Sequence, residues 1–119
     1  MAESKLRAKS VEFAISIIDL VKTLKGKREY LISNQIGRSG TSIGANIHEA
    51  QYAQSMSDFI AKLQIALKEA SETGYWLELL HRTGYLSDPE YKALDSECTG
   101  IRVLLIASIN TAKKNKGDS

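Results

Sequence analysis

Between positions 59 and 80, apolar and small residues recur alternately every four and every three positions. The members of this series are Phe59, Leu63, Ala66, Ala70, Thr73, Leu77 and Leu80. Such spacing places them in one seam along an α-helix of about three heptads. Other helices have to cover a seam of this kind, because a strand would repeat every two residues. The segment therefore predicts a core in which helices pack on helices.

The remainder of the chain has the same helical periodicity and no alternating β-branched segment. We predict four helices, over residues 4 to 24 or 25, 27 or 28 to 52, 55 to 84, and 87 to about 113. Long helices joined by short turns pack as antiparallel neighbours. The predicted fold is therefore an all-α, up-down-up-down antiparallel four-helix bundle. It forms one domain over residues 1–119, with a polar, flexible tail from about residue 113.

The core-facing stripe of each other helix follows from the same periodicity. For the first helix we predict Val11, Ile15, Ile18 and Val21, widened by Phe13, Ile17, Leu20 and Leu24. For the second helix we predict Ile32, Ile36, Ser39, Gly40, Ile43, Ile47 and Ala50. For the fourth helix we predict Tyr91, Leu94, Cys98, Ile101, Leu105 and Ile109.

Local signals predict where the helices begin and end. Gly26 and Gly84 are placed to terminate the first and third helices. Ser55 offers an N-cap for the third helix, and Ser87 with Glu90 forms a capping box for the fourth. The single proline follows Ser87 by two residues, where a helix tolerates it.

Composition and cysteine content indicate the class of protein. Apolar residues make up 43% of the chain and charged residues 25%, which is ordinary for a soluble globular protein. The apolar runs are too short to span a membrane, and the N-terminus lacks a secretory signal. Cys98 is the only cysteine, so it cannot form an intramolecular disulfide and suits a reducing compartment. We predict a cytoplasmic protein.

The segment Gly40-Thr41-Ser42-Ile43-Gly44 matches the G-x-S-x-G pattern of a hydrolase nucleophile elbow. That motif requires a strand before the serine and a helix start after it. Here the flanking isoleucines share one helical phase through the motif, and His48 lies about 240° from Ser42 around the same helix. We therefore predict no catalytic serine.

The two glycines of this segment require another explanation, because each costs about 1 kcal/mol relative to alanine inside a helix. Gly40 and Gly44, four residues apart, leave a flat surface on which another helix backbone can approach closely. We predict that they serve close helix packing. Their spacing does not decide whether the neighbouring helix belongs to the same chain or to another copy.

Four polar residues form a predicted structural network. Asn46 and Glu49 follow the glycines on the second helix, and Glu69 and Glu72 flank the small seam of the third. Small neighbours would let these groups meet inside the bundle, where burial requires them to be hydrogen-bonded. The alternative is that some of them face solvent.

No complete set of metal ligands or catalytic residues is found. Glu78-Leu79-Leu80-His81 matches the E-x-x-H of di-iron bundles. That site needs a second E-x-x-H, but Ala45 stands three positions before the other histidine, His48. We expect a surface pair here, and we predict no enzyme activity, no metal and no cofactor.

Helix three is apolar on more than one side. Tyr75 and Trp76 lie beside its seam and, together with Ile65 and Leu79, extend its apolar surface. A helix in an isolated bundle needs one apolar stripe, so the additional surface indicates self-association. Deeper burial within the chain is the alternative.

The segment QIGRSGTSIGANIHEAQYAQSMSDFIAKLQIALKEASET, followed by LELLHRTGYL, resembles the bacterial four-helix bundle proteins encoded in intervening sequences of 23S ribosomal RNA genes. The matching residues are Gln35, Arg38, Ser42, Ile43, Asn46, Ile47, Glu49, Ser55, Phe59, Ile60, Glu72, Gly84, Tyr85 and Leu86. The sequence departs from the family pattern at Thr41, Ala50, Asp58 and residues 51–54.

The resemblance implies a homopentamer of four-helix bundles. It also implies similarity to the accessory proteins of diversity-generating retroelements, which are basic pentameric barrels that bind nucleic acid and a reverse transcriptase. The net charge of this chain is only +2, but basic residues cluster at the first turn. We therefore expect RNA, or a nucleic-acid/protein complex, to be bound by Lys25, Lys27, Arg28 and Arg38. The alternative is a scaffold with a protein partner and no nucleic acid.

Overall fold

The computed structural model describes the backbone of residues 2–117 and the side chains of residues 5–117. It contains four α-helices: α1 (Ala2–Gly26), α2 (Leu31–Ala50), α3 (Met56–Arg82) and α4 (Asp88–Lys116). Each helix packs against the next, and α4 packs against α1. The predicted all-α, up-down four-helix bundle is confirmed. Within residues 2–117, no helix is both long and apolar enough to cross a membrane.

The core stripes predicted for α2 and α3 are buried almost without exception. In α2 every member of the predicted stripe is buried, from Ile32 to Ala50. In α3 the seam from Leu63 to Leu80 is buried, and Phe59 at its beginning is half-buried. In α4 the stripe from Cys98 to Ile109 is buried, and Ala112 extends it. One apolar face on each of these helices was enough to predict which side points inward.

The stripe predicted for α1 is wrong in its centre, whereas the predicted flanking residues Phe13, Ile17 and Leu24 are buried. Val11, Ile15 and Ile18 are 43%, 55% and 45% exposed. The buried series of α1 consists of Leu6, Ser10, Phe13, Ile17 and Leu24. Both series fit a helical repeat, so periodicity alone could not choose between them. The buried series is the one that packs against the glycines of α2.

The connection between α1 and α2 differs from the predicted one. Gly26 is the last helical residue, but the chain turns at Arg28, which adopts a left-handed φ of 63°. The backbone N–H of Glu29 donates to Leu24 O at 2.8 Å, as in a Schellman turn. We predicted that α2 begins at residue 27 or 28, but it begins at Leu31, because a helix cannot run through a left-handed residue.

The side chain of Glu29 caps the N-terminus of α2, which we did not predict. The side chain of Tyr30, the residue before the helix, makes no capping hydrogen bond. The buried carboxylate of Glu29 accepts instead from the N–H groups of Ile32 and Ser33, at 3.0 and 2.7 Å. A negative charge at a helix N-terminus also offsets the positive end of the helix dipole.

The predicted caps of α3 and α4 are confirmed. Ser55 Oγ accepts from Asp58 N at 3.0 Å, and Ser87 and Glu90 form the reciprocal capping box. Gly84 ends α3 with a φ of 87°. The helix α4 continues through Lys116, beyond residue 113 where we predicted a flexible tail, and Gly117 ends it with a φ of 92°. The last two residues of that predicted tail lie outside the described residues.

Candidate functional site

The G-x-S-x-G segment lies inside α2, not at a turn between a strand and a helix. Ser42 is half-buried, and its backbone carbonyl accepts a hydrogen bond from Asn46 Nδ2 at 2.9 Å. His48 lies two helical turns from the start of the motif, with its ring edge-on to Tyr52. The segment therefore lacks the strained turn that exposes a nucleophilic serine.

The glycines of α2 lie against α1 of the same chain. A Cβ atom added to Gly40 would lie 2.9 Å from both γ-carbons of Ile17. The corresponding nearest distances are 3.3 Å from Gly37 to Val21 Cγ2 and 3.3 Å from Gly44 to Ser10 Oγ. The flat surface left open by the sequence is thus filled within the chain, and its tightest point is Gly40.

A charged cluster joins α2 to α3 on the surface of the bundle. The Arg38 guanidinium donates to Glu69 Oε1 at 3.2 Å and also to Glu72 Oε2. The indole N–H of Trp76 donates to the same Glu72 oxygen at 3.0 Å. Two carboxylates on α3 therefore hold one arginine on α2, and this cluster is half open to solvent.

The predicted network of four polar residues is only partly assembled. Glu69 and Glu72 meet, but they do so on Arg38. Asn46 bonds within its own helix, and the exposed Glu49 lies 3.8 Å from Lys62 Nζ. The structure does not bring Asn46 or Glu49 to the α3 glutamates, because these side chains lie at different heights along α2 from Arg38.

A buried hydroxyl pair between α2 and α3 was not predicted. The hydroxyl oxygens of Ser39 and Thr73 lie 2.8 Å apart, and both residues are fully buried. Thr73 Oγ1 also lies 2.8 Å from the backbone carbonyl of Glu69. Each hydroxyl has one proton, so Thr73 can donate to Glu69 O while it accepts from Ser39. The signal was present in the sequence as two hydroxyl residues at core positions of neighbouring helices.

The three basic residues at the α1–α2 turn are exposed. None of Lys25, Lys27 and Arg28 has a carboxylate within ion-pair distance among the described side chains. Glu90 is nevertheless near: its hydrogen bonds with Ser87 lower its pKa, and the charge of Lys27 adds to this effect. Arg38, the fourth residue predicted to contact nucleic acid, lies apart from this turn and is already paired with two carboxylates.

The E-x-x-H residues of α3 have separate partners. Glu78 pairs with Arg82 at 3.2 Å, whereas His81 Nε2 lies 2.5 Å from Asp88 Oδ1. The His81 ring also stacks on Tyr91 with centroids 4.4 Å apart. This contact fastens the end of α3 to the start of α4, and the bond with His81 lowers the pKa of Asp88. The side chains of residues 5–117 contain no group of three or more potential metal ligands.

Cys98 is a buried residue of the core. Its thiol lies 3.3 Å from the backbone carbonyl of Ala70 on α3. Burial raises the pKa of this thiol to about 11. The neutral thiol therefore predominates at physiological pH, and Cys98 lacks the thiolate character of a reactive cysteine.

Comparisons with known proteins agree with this architecture. A crystal structure of a protein of unknown function from the S23 ribosomal protein family of Bacteroides thetaiotaomicron superimposes on this chain with a TM-score of 0.91. The two sequences are 52% identical, and the match covers 92% of this chain and 99% of the other. Among curated proteins no match was found. The profile of the 23S rRNA-intervening sequence proteins matches residues 2–107. Since that match spans most of the bundle, the chain belongs to the 23S rRNA-intervening sequence protein family.

Proposed function

We propose that this protein is a non-enzymatic, homo-oligomeric helical bundle of the cytoplasm that binds RNA, alone or within a ribonucleoprotein complex, through basic side chains. The observation that carries the proposal is a group of exposed basic side chains without ion-pair partners. Lys25, Lys27 and Arg28 are exposed without an ion-pair partner among the described side chains. Unpaired cationic side chains can bind phosphate groups. Contacts with phosphates provide most of the sequence-independent affinity for nucleic acid.

The contribution of Arg38 to this binding is smaller in our proposal than the family resemblance implies. Its guanidinium already donates to two carboxylates of α3. A phosphate would have to displace at least one of them. We therefore assign the main RNA contacts to unpaired lysines and arginines, and a structural role to Arg38.

The homo-oligomer is supported by the outer face of α1. Val11, Ile15 and Ile18 lie on one side of this helix, opposite its core-facing series, and each is close to half exposed. A helix that is apolar on two sides requires a partner for the second side. On α3, Ile65 and Tyr75 are also exposed, which adds a second apolar surface. Trp76 and Leu79 are half-buried and contribute less. The family resemblance implies that five copies assemble.

A scaffold that binds only another protein is the second candidate. It is favoured by the net charge of +2 and by the pairing of Arg38, both of which reduce the attraction to a polyanion. The two candidates share the oligomer and differ in the nature of the partner.

Light scattering on the purified protein, combined with the ratio of absorbance at 260 and 280 nm, tests both parts of the proposal. We expect a mass several times 13.1 kDa, and binding of a labelled RNA hairpin at low salt. An oligomer that binds no RNA at low salt would favour the scaffold. A monomer would contradict both candidates.

A further inference from the structure

We infer that RNA contacts the end of the bundle at which α1 begins and α4 ends, and we call this surface the basic end. It is defined by the basic residues of two helix segments: Lys5, Arg7, Lys9, Arg102, Lys113, Lys114 and Lys116. This inference rests on the proposed function and specifies its site. It adds this end to the α1–α2 turn at the opposite end, where Lys25, Lys27 and Arg28 carry the proposed function.

The antiparallel packing of α1 and α4 brings the two segments together. Lys9 of α1 and Ile101 of α4 line the same open groove of about 480 Å³, which Glu12 and Glu97 line as well. The two helices run in opposite directions from this level. The α1 residues before Lys9 and the α4 residues after Ile101 therefore lie at the same end of the bundle. Residues nearly one hundred positions apart in the sequence thus form one surface.

Acidic residues at this end are fewer than basic ones: in the sequence Glu3 and Asp118 flank the two segments, and Glu49 and Asp58 lie near the end of α2 and the start of α3. Residues 4–11 and 98–117 together contain the seven basic residues and no Asp or Glu. The opposite end combines Lys25, Lys27 and Arg28 with acidic neighbours on its own turns and on α4: Glu29, Asp88, Glu90 and Asp95. The net charge of +2 is therefore unevenly distributed along the bundle, with an excess of basic residues at the basic end.

Most of the basic side chains at this end are exposed. Lys5, Arg7 and Lys9 are exposed, as are Arg102 and Lys114, whereas Lys113 is partly buried. Among the described side chains, none of these six has a carboxylate within ion-pair distance. The segment from Arg102 to Lys114 extends about 18 Å along α4 at about 1.5 Å per residue. At about 3.4 Å per phosphate along one strand of a duplex, this length spans about five phosphates.

The demands of the fold do not account for this placement of charge. The lysines in the last turn of α4 offset the negative end of its dipole. Lys5 is different, because it lies in the first turns of α1, where the positive end of the dipole disfavours a cation. Arg102 lies in the middle of α4, where the dipole has little effect. A polyanionic ligand explains all of these positions together.

A titration with a fluorescein-labelled RNA hairpin tests this inference on the full-length protein. The basic-end variant combines Lys5→Gln, Arg7→Gln, Lys9→Gln, Lys113→Gln and Lys114→Gln. The matched variant removes two exposed lysines outside both the basic end and the α1–α2 turn, and combines Lys68→Gln and Lys92→Gln. Thermal melting confirms that both remain folded, and a variant with Lys5, Lys9, Lys113 and Lys114 all changed to Arg preserves the charge.

We expect the basic-end variant to bind the hairpin at least about tenfold more weakly, with a salt slope reduced by about 0.7 for each lost phosphate contact. The matched variant should change affinity by less than about twofold, and the Arg variant should bind like wild type. Unchanged binding by the basic-end variant would overturn the assignment and leave intact the proposed function, which the α1–α2 turn carries. If wild-type protein fails to bind RNA at low salt, the proposed function itself fails. Binding to phosphatidylserine vesicles but not to RNA would assign the basic end to a membrane surface and overturn the inference.

Discussion

The position that a Cβ atom would occupy on Gly40 of α2 lies 2.9 Å from Cγ1 and Cγ2 of Ile17 in α1. A packed core cannot accommodate contacts this short without movement. Both γ-carbons are close to the backbone of Ile17, so a rotation of the side chain alone cannot relieve them. Gly40 therefore sets the distance between α1 and α2. The same contact determines which of the two apolar faces of α1 is buried.

Gly40→Ala should destabilise the protein by about 1 kcal/mol or more, because the cost of overpacking exceeds the gain in helix propensity. Gly74→Ala and Gly100→Ala are matched controls, since a Cβ atom at either position has no neighbour within 4 Å. Each control should be stabilising, by up to about 1 kcal/mol. Chemical denaturation measures all three. A Gly40→Ala variant as stable as Gly74→Ala would disprove the packing role. A smaller cost of Gly40→Ala in an Ile17→Ala background than in wild type would localise the clash to Ile17.

Arg28→Gly should stabilise the protein. Arg28 has a φ of 63°, a left-handed conformation that costs a non-glycine residue about 1–2 kcal/mol. Part of this gain is lost to the greater freedom of glycine in the unfolded chain, so we expect about 0.5–1 kcal/mol. Lys27→Gly removes the same charge one residue earlier and should not stabilise. A lower melting temperature for Arg28→Gly than for wild type would be incompatible with the described turn.

Arg38→Gln should weaken the contact between α2 and α3 and leave RNA binding nearly unchanged. The ion pairs of Arg38 are half exposed, so we expect a loss of no more than about 1 kcal/mol. Arg38→Lys should recover part of the stability without the two-pronged geometry. Denaturation and hairpin titration are measured on the same samples. A large loss of RNA affinity with unchanged stability would restore Arg38 as an RNA contact.

Ile15→Lys, on the outer face of α1, should dissociate the oligomer without unfolding the bundle. Ile15 is 55% exposed in the single chain, so a lysine there is compatible with the monomer but not with an apolar interface. Val103→Lys, on the outer side of α4 and 60% exposed, is the control and should leave the mass unchanged. Light scattering measures the mass of each variant. An oligomer that survives Ile15→Lys and is lost with Val103→Lys would place the interface on α4.

Cys98 should make the stability of the protein depend on alkaline pH. Burial raises the pKa of its thiol from 9.0 to about 11, so the folded state retains a proton that the unfolded state releases. Its contribution is complete below about pH 9 and decreases as the pH rises to about 11. The difference in unfolding free energy between wild type and Cys98→Ala should therefore shrink over this range. A constant difference would show that the thiol is not buried as described.

Sequence periodicity predicted the fold and three of the four core stripes, because α2, α3 and α4 each have one dominant apolar face. On α1 it predicted the burial of Phe13, Ile17 and Leu24 but misplaced the centre of the stripe, since Val11, Ile15 and Ile18 also follow a helical repeat. The correct choice depends on where Gly40 and its neighbours leave space on another helix. The turn at Arg28 was also missed, because Gly26 is the stronger sequence signal for a helix end.

The candidate site was less predictable than the fold. The pairing of Arg38 with Glu69 and Glu72 depends on how α2 is rotated against α3, and residue spacing within one helix does not contain that information. Predicting the basic end requires knowledge of how the helices are arranged in the folded bundle, because its two segments are separated by almost the whole chain. The individual lysines and arginines were visible in the sequence, but their common surface was not.

The salt dependence of RNA binding by the unmodified protein tests the central claim most directly. The labelled hairpin is titrated with wild-type protein at several salt concentrations, and the logarithm of the association constant is plotted against the logarithm of the salt concentration. We predict a straight line whose negative slope corresponds to several phosphate contacts, at about 0.7–0.9 per contact. An absence of binding at low salt, or an affinity independent of salt, would contradict an electrostatic RNA-binding role for this bundle.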